Sequence, residues 1–275
     1  MKIITLLENT ASRPGLTAAR GLSLYVETAE RKVLFDMGPD ASFLENARAL
    51  GVDLSAVDTA VLSHGHSDHG GGLAAFCGVN RQASIYLRRE ALGPYFAVLP
   101  GQDPGFIGLP RVCATLSDRF VFTGDLERLG GGLTLFSAVE DDPALRAPAP
   151  KLQVRAGEGF RPDGFAHEQH LLVEENGRAA LLAGCGHLGI VNILRAAKRR
   201  LGRMPDVVFG GFHLFELEPG EPKAEALLSA TAGALAEGGT VYYTGHCTGG
   251  WAYDRLRETL GDRLRPMNCG ASAEL

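Results

Sequence analysis

His64-Gly65-His66-Ser67-Asp68-His69, behind the apolar run Val57-Asp58-Thr59-Ala60-Val61-Leu62-Ser63, is the stretch whose reading decides the fold. The apolar run has the length and composition of a buried strand, so the six residues occupy the loop leaving its C-terminal end. Alternate residues of an extended segment point the same way, which lets His64 and His66 converge on one ion. Asp68 and His69 lie beyond a turn eased by Gly70, Gly71 and Gly72, and can face a second ion. Neutral imidazole with carboxylate suits zinc, and less exclusively iron or manganese.

Working outward, three more histidines follow apolar strands and sit among glycines. They are His187 in Gly184-Cys185-Gly186-His187, His213 in Gly210-Gly211-Phe212-His213-Leu214, and His246 in Thr244-Gly245-His246-Cys247-Thr248-Gly249. Each alone is compatible with a core or turn histidine. Together they point to one site on loops held by a rigid scaffold.

The rest of the chain supplies that scaffold. Strands are expected at Ile3 to Leu7, Gly21 to Glu27 and Lys32 to Asp36, followed by a helix from Ala41 to Leu50 and another through Leu73 to Phe76. Further on, His170 to Glu175 and Arg178 to Ala183 flank Asn176-Gly177, a strong hairpin signal. The helix Ile190 to Leu201, the strand Asp206 to Phe209, the helix Lys223 to Glu237 and the strand Thr240 to Thr244 complete the pattern. Two sets of hairpin strands, each followed by helix and strand, suggest two packed sheets with helices outside, in one domain over 1–275. The Gly- and Pro-rich segment from Gly93 to Pro110 reads as a long irregular loop near the site.

Composition narrows the function. The 275 residues are 45% hydrophobic and 21% charged, enough for a full core. A net charge of −5 gives no general nucleic-acid surface, and no apolar run is long enough to span a bilayer. Met1 to Asn9 reads as a strand and not as a secretory signal. Five scattered cysteines without a CxxC pair argue against a disulfide framework and for a reducing cytoplasm. The partner expected is a small molecule, with neither nucleic acid nor membrane; homo-oligomer formation is left open.

The loop at 64–69 resembles the HxHxDH hallmark of the metallo-β-lactamase fold superfamily. Leu34-Phe35-Asp36-Met37-Gly38, Gly184-Cys185-Gly186-His187, Gly210-Gly211-Phe212-His213-Leu214 and Thr244-Gly245-His246-Cys247-Thr248-Gly249 narrow the resemblance. They are similar to the subgroup of 7,8-dihydropterin-6-methyl-4-(β-D-ribofuranosyl)-aminobenzene 5′-phosphate synthase-like proteins. The resemblance implies an α/β fold, an αββα sandwich of two mixed β-sheets with helices on the outer faces. It implies a binuclear site with two divalent metal ions, zinc first and manganese or iron as alternatives. His64 and His66 would bind one metal, and Asp68, His69 and His246 the other. His187 is the further ligand favoured by its motif, with Cys185 as the alternate and His167 or His170 as upstream candidates.

Asp36 is read as orienting a metal-bound histidine, or else as a turn carboxylate. Asp68 would position the nucleophile and His213 would contact substrate, with Glu8 and Asn9 near the mouth. Trp251 and Tyr253 are read as walling an aromatic ligand or, more safely, as core. The expected activity is that of a metal-dependent hydrolase or related synthase using metal-bound hydroxide on a small anionic substrate. The alternatives are a di-iron oxidoreductase and a non-catalytic metal-containing ligand-binding protein.

Overall fold

Asn176 and Gly177 both adopt positive φ, 51° and 75°, the backbone that a two-residue hairpin turn requires. Around them, His170–Glu175 pairs antiparallel with Arg178–Leu182, as the sequence predicts. A computed structural model describes the whole chain, Met1–Leu275. Its contacts cluster into two compact units. The first comprises Met1–Gly124, Ala149–Gln169 and Asn268–Leu275, and the second Asp125–Pro148 and His170–Met267.

The first unit is built on a seven-stranded sheet in the order Ser272–Glu274, Lys2–Leu7, Ser23–Glu27, Lys32–Phe35, Thr59–Val61, Ser84–Leu87 and Phe120–Phe122. The first four strands run antiparallel; from Lys32–Phe35 onward the pairing is parallel. Helices Ser42–Ala49 and Leu73–Val79 bury Phe43, Ala47, Leu73 and Phe76 in a core with Leu6, Leu34, Ala60 and Ile85. Val33, Val61 and Leu87 are fully buried as well. Burial on both faces explains why the central strands read as continuous apolar runs and not as alternating ones.

The segment 93–110 departs from the irregular loop expected of it. Tyr95–Ala97 and Gly105–Phe106 are strands, joined with Leu152–Ala156 and Gly159–Pro162 into a four-stranded antiparallel sheet. Its register puts Phe96, Phe106 and Phe160 on one face, where the rings meet edge to face at 5.1–5.3 Å. Tyr95 points to the other face.

The second unit repeats the same plan. Its seven strands run in the order Leu264–Pro266, Val241–Thr244, Val207–Phe209, Arg178–Leu182, His170–Glu175, Leu133–Phe136 and Leu126–Gly130. The first four are parallel and the rest antiparallel. Helix Ile190–Leu201 buries Ile193, Leu194 and Ala197 in this unit's core and carries Lys198, Arg199 and Arg200 in its last turn, where cations complement the helix dipole. Helix Pro222–Ala236 starts with proline at its first position, where no amide donor is needed. No helix is long and apolar enough to cross a membrane.

Candidate metal centre

In the first unit the histidine loop leaves the C-terminal end of Thr59–Val61, inside the parallel half of the sheet. That end of a parallel sheet is where α/β folds commonly build their sites. Ser63, His64 and His69 are fully buried, and His66 nearly so. Gly65 is required between the first two histidines, because a Cβ there would lie 2.3 Å from the Ala91 carbonyl oxygen. Its amide donates to His167 Nδ1 at 2.9 Å. Ser67 donates its amide to the Ile107 carbonyl at 2.8 Å, and His66 forms a bridge with Gly108, so the 93–110 segment is tied to the loop.

Asp36 organises two of the imidazoles. It is fully buried at the end of Lys32–Phe35, with φ of 60°. Its Oδ1 accepts the Ser63 amide at 2.7 Å, and its Oδ2 accepts the Ser63 hydroxyl at 2.7 Å and His69 Nδ1 at 2.7 Å. The Ser63 hydroxyl also meets His64 Nδ1 at 2.8 Å. A hydroxyl has one proton, and here it goes to the carboxylate, so His64 Nδ1 must donate to Ser63 Oγ. Both His64 and His69 are therefore protonated at Nδ1 and keep a lone pair on Nε2, the form in which imidazole binds a metal.

His167 has the opposite tautomer. Its Nδ1 accepts from Gly65, so Nε2 carries the proton and donates to Asp163 Oδ2 at 2.9 Å. With both nitrogens committed, His167 braces the loop, and Tyr95 packs on it at a tilt of 32° with ring centroids 4.1 Å apart. Asp163 Oδ2 is also 3.9 Å from His66 Nε2. Burial pushes the His66 pKa down to about 3, with the neighbouring His167 adding to the shift, so the ring is neutral at ordinary pH. Burial raises the Asp163 carboxyl, but the hydrogen bond from His167 outweighs it and leaves the pKa below the usual value. Gln169 ties the underlying strands: its amide donates to the Leu62 and Tyr86 carbonyls, and its Oε1 accepts from Thr123.

The second unit carries its own set at the C-terminal ends of its parallel strands. Cys185, His187, His213 and Cys247 are buried, and His246 is partly exposed. His187 and His213 pack with ring centroids 4.2 Å apart. His213 and His246 hold positive φ, 48° and 50°, in the left-handed region that few side chains occupy. Strained backbone of this kind clusters at functional sites. Burial raises the Cys247 thiol, but Cys185, His213 and the charge of His246 overcome this and hold it well below the ordinary thiol range.

The remaining sequence candidates have other surroundings. Glu8 accepts from the Thr10 amide and hydroxyl, both at 2.7 Å, and Asn9 accepts from the Gly21 amide at 3.2 Å. Trp251 and Tyr253 pack against the second unit's core, the safer of their two readings. His170 is buried against Phe136 at 5.2 Å. Ser63, Tyr95, Asp163 and Cys247 are additions that the sequence did not single out. Ser63 precedes the motif and carried a usable signal, whereas Asp163 and Tyr95 reach it only through the fold.

The donor chemistry fits a metal. His64, Asp68 and His69 bring ligand atoms within 4.8 Å of one another. Neutral imidazole and carboxylate oxygen are the donors that zinc, manganese and iron accept.

Residues 16–92 match the model of the metallo-β-lactamase superfamily. The chain is 26% identical over 288 residues to the 7,8-dihydropterin-6-methyl-4-(β-D-ribofuranosyl)-aminobenzene-5′-phosphate synthase of Methanocaldococcus jannaschii, covering 98% of this chain and 95% of that one. Among solved structures it is similar to Tm1679, a metal-dependent hydrolase of the β-lactamase superfamily. The TM-score there is 0.83 at 26% identity, over 100% of this chain and 99% of the other. Zinc-bound PqqB from Methylobacterium extorquens shares the fold, with a TM-score of 0.57 at 14% identity over the whole of both chains. The mixed sheets and helices expected from the sequence are thus those of metallo-β-lactamase-fold proteins. With its histidine loop placed at the end of a parallel strand, the chain carries a metallo-β-lactamase superfamily domain match over residues 16–92 and has the fold of those proteins.

Proposed function

We propose that the protein is a metal-dependent enzyme, a hydrolase or related synthase, acting on a small anionic substrate. The observation that carries this reading is the Asp36–Ser63–His64 and Asp36–His69 network, which fixes two buried imidazoles in the metal-binding tautomer. The ligands proposed are His64, His66, Asp68, His69, His187 and His246, with zinc the preferred ion.

When bound, the metal supplies a water whose pKa falls from about 15.7 towards 7, making hydroxide available at neutral pH. Asp36 holds the Nδ1 proton of His69 and, through Ser63, that of His64, so neither ring turns or changes tautomer. Burial keeps His66 neutral. Asp68, partly exposed in the first turn of the short helix Ser67–Gly70, is the carboxylate proposed to orient a nucleophile. The Methanocaldococcus jannaschii relative is named for a pterin-bearing phosphate, so a pterin phosphate precursor is the first substrate class to try.

The test is elemental analysis of protein purified without chelators or added metal. About two zinc or manganese per chain, followed by turnover of phosphodiesters, lactones or pterin phosphates, supports the proposal. Two irons per chain would shift the reading to redox chemistry, and a chain that neither retains nor responds to metal would overturn it.

A further inference from the structure

We propose that the cleft between the last turn of helix Ile190–Leu201 and the edge strand Leu126–Gly130 binds a small carboxylate bearing an apolar chain. None of the proposed metal ligands takes part. The cleft holds about 370 Å³, within the range of small-molecule sites, and lies wholly in the second unit. Leu126, Leu133, Leu172 and Leu201 form its apolar wall, and Arg128 and Arg200 supply two guanidiniums.

The strand pairing creates this space. Arg128 stands opposite Thr134, and Thr134 opposite Leu172, so the three share one face of the sheet. The helix covers that face as far as Leu172 and Phe136, which join Ile193, Leu194 and Ala197 in the buried core. No residue of Leu126–Gly130 belongs to that core, and Leu126 is left 48% exposed. The helix therefore stops one strand short of the sheet edge. Gly132 and Glu174, also on the cleft wall, lie beside the Asn176-Gly177 turn. His187 follows the opposite end of Arg178–Leu182, so the cleft is no extension of the metal centre.

Charge decides the ligand. Arg200 is half-buried over the Phe136 ring at 4.5 Å and donates to the Ala196 and Ala138 carbonyls, at 2.9 and 3.0 Å. Its Nε is buried without a hydrogen-bond partner, and neither Arg200 nor Arg128 makes an ion pair with a carboxylate. Burial first, and then the like charge of Arg199, hold the Arg200 pKa below the ordinary guanidinium value. A half-buried cation without a counter-ion favours an anion brought from outside. Glu174, exposed on the wall, offsets one of the two guanidiniums. The positive charge that remains matches a monoanionic head group, and the leucines cover its chain.

Octanoate is the probe, with octanol as its uncharged counterpart, titrated calorimetrically into the full-length protein as purified. Octanoate should bind at one site per chain and about tenfold more tightly than octanol, the factor that one charge-assisted hydrogen bond supplies. Arg128→Gln and Arg200→Gln should each weaken it about tenfold. Leu126→Glu, which adds a second carboxylate to the wall, should abolish it. His66→Ala should leave it unchanged, because a carboxylate captured at the metal centre would be lost with the metal. No binding of millimolar octanoate to the unaltered protein would overturn the proposal. So would equal affinity for octanol, binding lost in His66→Ala, or binding that Arg128→Gln and Leu126→Glu both leave intact. Arg128 and Leu126 are exposed on the edge strand, so these two variants test the site even where Arg200→Gln fails to fold.

Discussion

His69 Nδ1 and Asp36 Oδ2 stand 2.7 Å apart with both side chains fully buried. The carboxylate is the fixed point from which two imidazoles take their orientation, one directly and one through Ser63. Asp36→Asn removes its charge while keeping the shape and tolerating the backbone. Metal affinity is expected to fall about tenfold, the lower end for loss of such a supporting partner. A chelator competition titration measures it; unchanged affinity would make Asp36 a turn residue only.

His66→Ala and Asp68→Ala are each expected to abolish activity and reduce bound metal, with the fold retained. Elemental analysis, turnover and circular dichroism on the same preparations check this. Full turnover by either variant would sink the assignment of the loop as the metal centre.

Gly65→Ala is expected to destabilise the protein by about 1–3 kcal/mol, the cost of forcing a methyl into a packed position. The added Cβ meets the Ala91 carbonyl and must displace either that backbone or the loop. Loop displacement would loosen the Gly65 to His167 hydrogen bond, so weaker metal binding should accompany the lower denaturation midpoint. A variant as stable as the parent would show that Ala91 yields freely.

His170 predicts how stability depends on pH. Burial, and then the charge of Arg200, push its pKa down to about 3, whereas the unfolded chain titrates near 6.5. Between these values the unfolded state holds the extra proton, so stability is complete above 6.5 and falls as pH drops towards 3. The loss over the whole window is on the order of 5 kcal/mol. His170→Phe should flatten the slope, read from urea midpoints of metal-free protein at about pH 7 and pH 4.5. Equal slopes in parent and variant would refute the assignment.

What the sequence disclosed was local. His64 to His69 could be read because six neighbouring residues carry both the donors and the turn, behind a strand that announces itself by being wholly apolar. The hairpin at Asn176-Gly177 was legible for the same reason, since two residues set its backbone. The Asp36 network is half legible in the sequence: the carboxylate stands out after its strand, but its partner Ser63 reads only as the last residue of the next one. Asp163 and Tyr95 lie some 68 positions apart and meet through His167, which no spacing rule connects. The strands Tyr95–Ala97 and Gly105–Phe106 are too short to show a period, and they gain their order from Leu152–Ala156, far along the chain. Cys247 looked like an unremarkable neighbour of His246 until the fold put Cys185 and His213 beside it.

The positive φ angles at Asp36, His213 and His246 determine which mutants can be interpreted. At these positions the side chain answers for its chemistry and also for a conformation that costs an ordinary residue about 1–2 kcal/mol. Replacement by valine or alanine would conflate lost function with a refused backbone, and an inactive variant would be uninformative. Asparagine, which enters the left-handed region readily, is the substitution that separates the two. A mutational scan of the candidate site should therefore be scored against asparagine at 36, 213 and 246, and against alanine only where φ is negative.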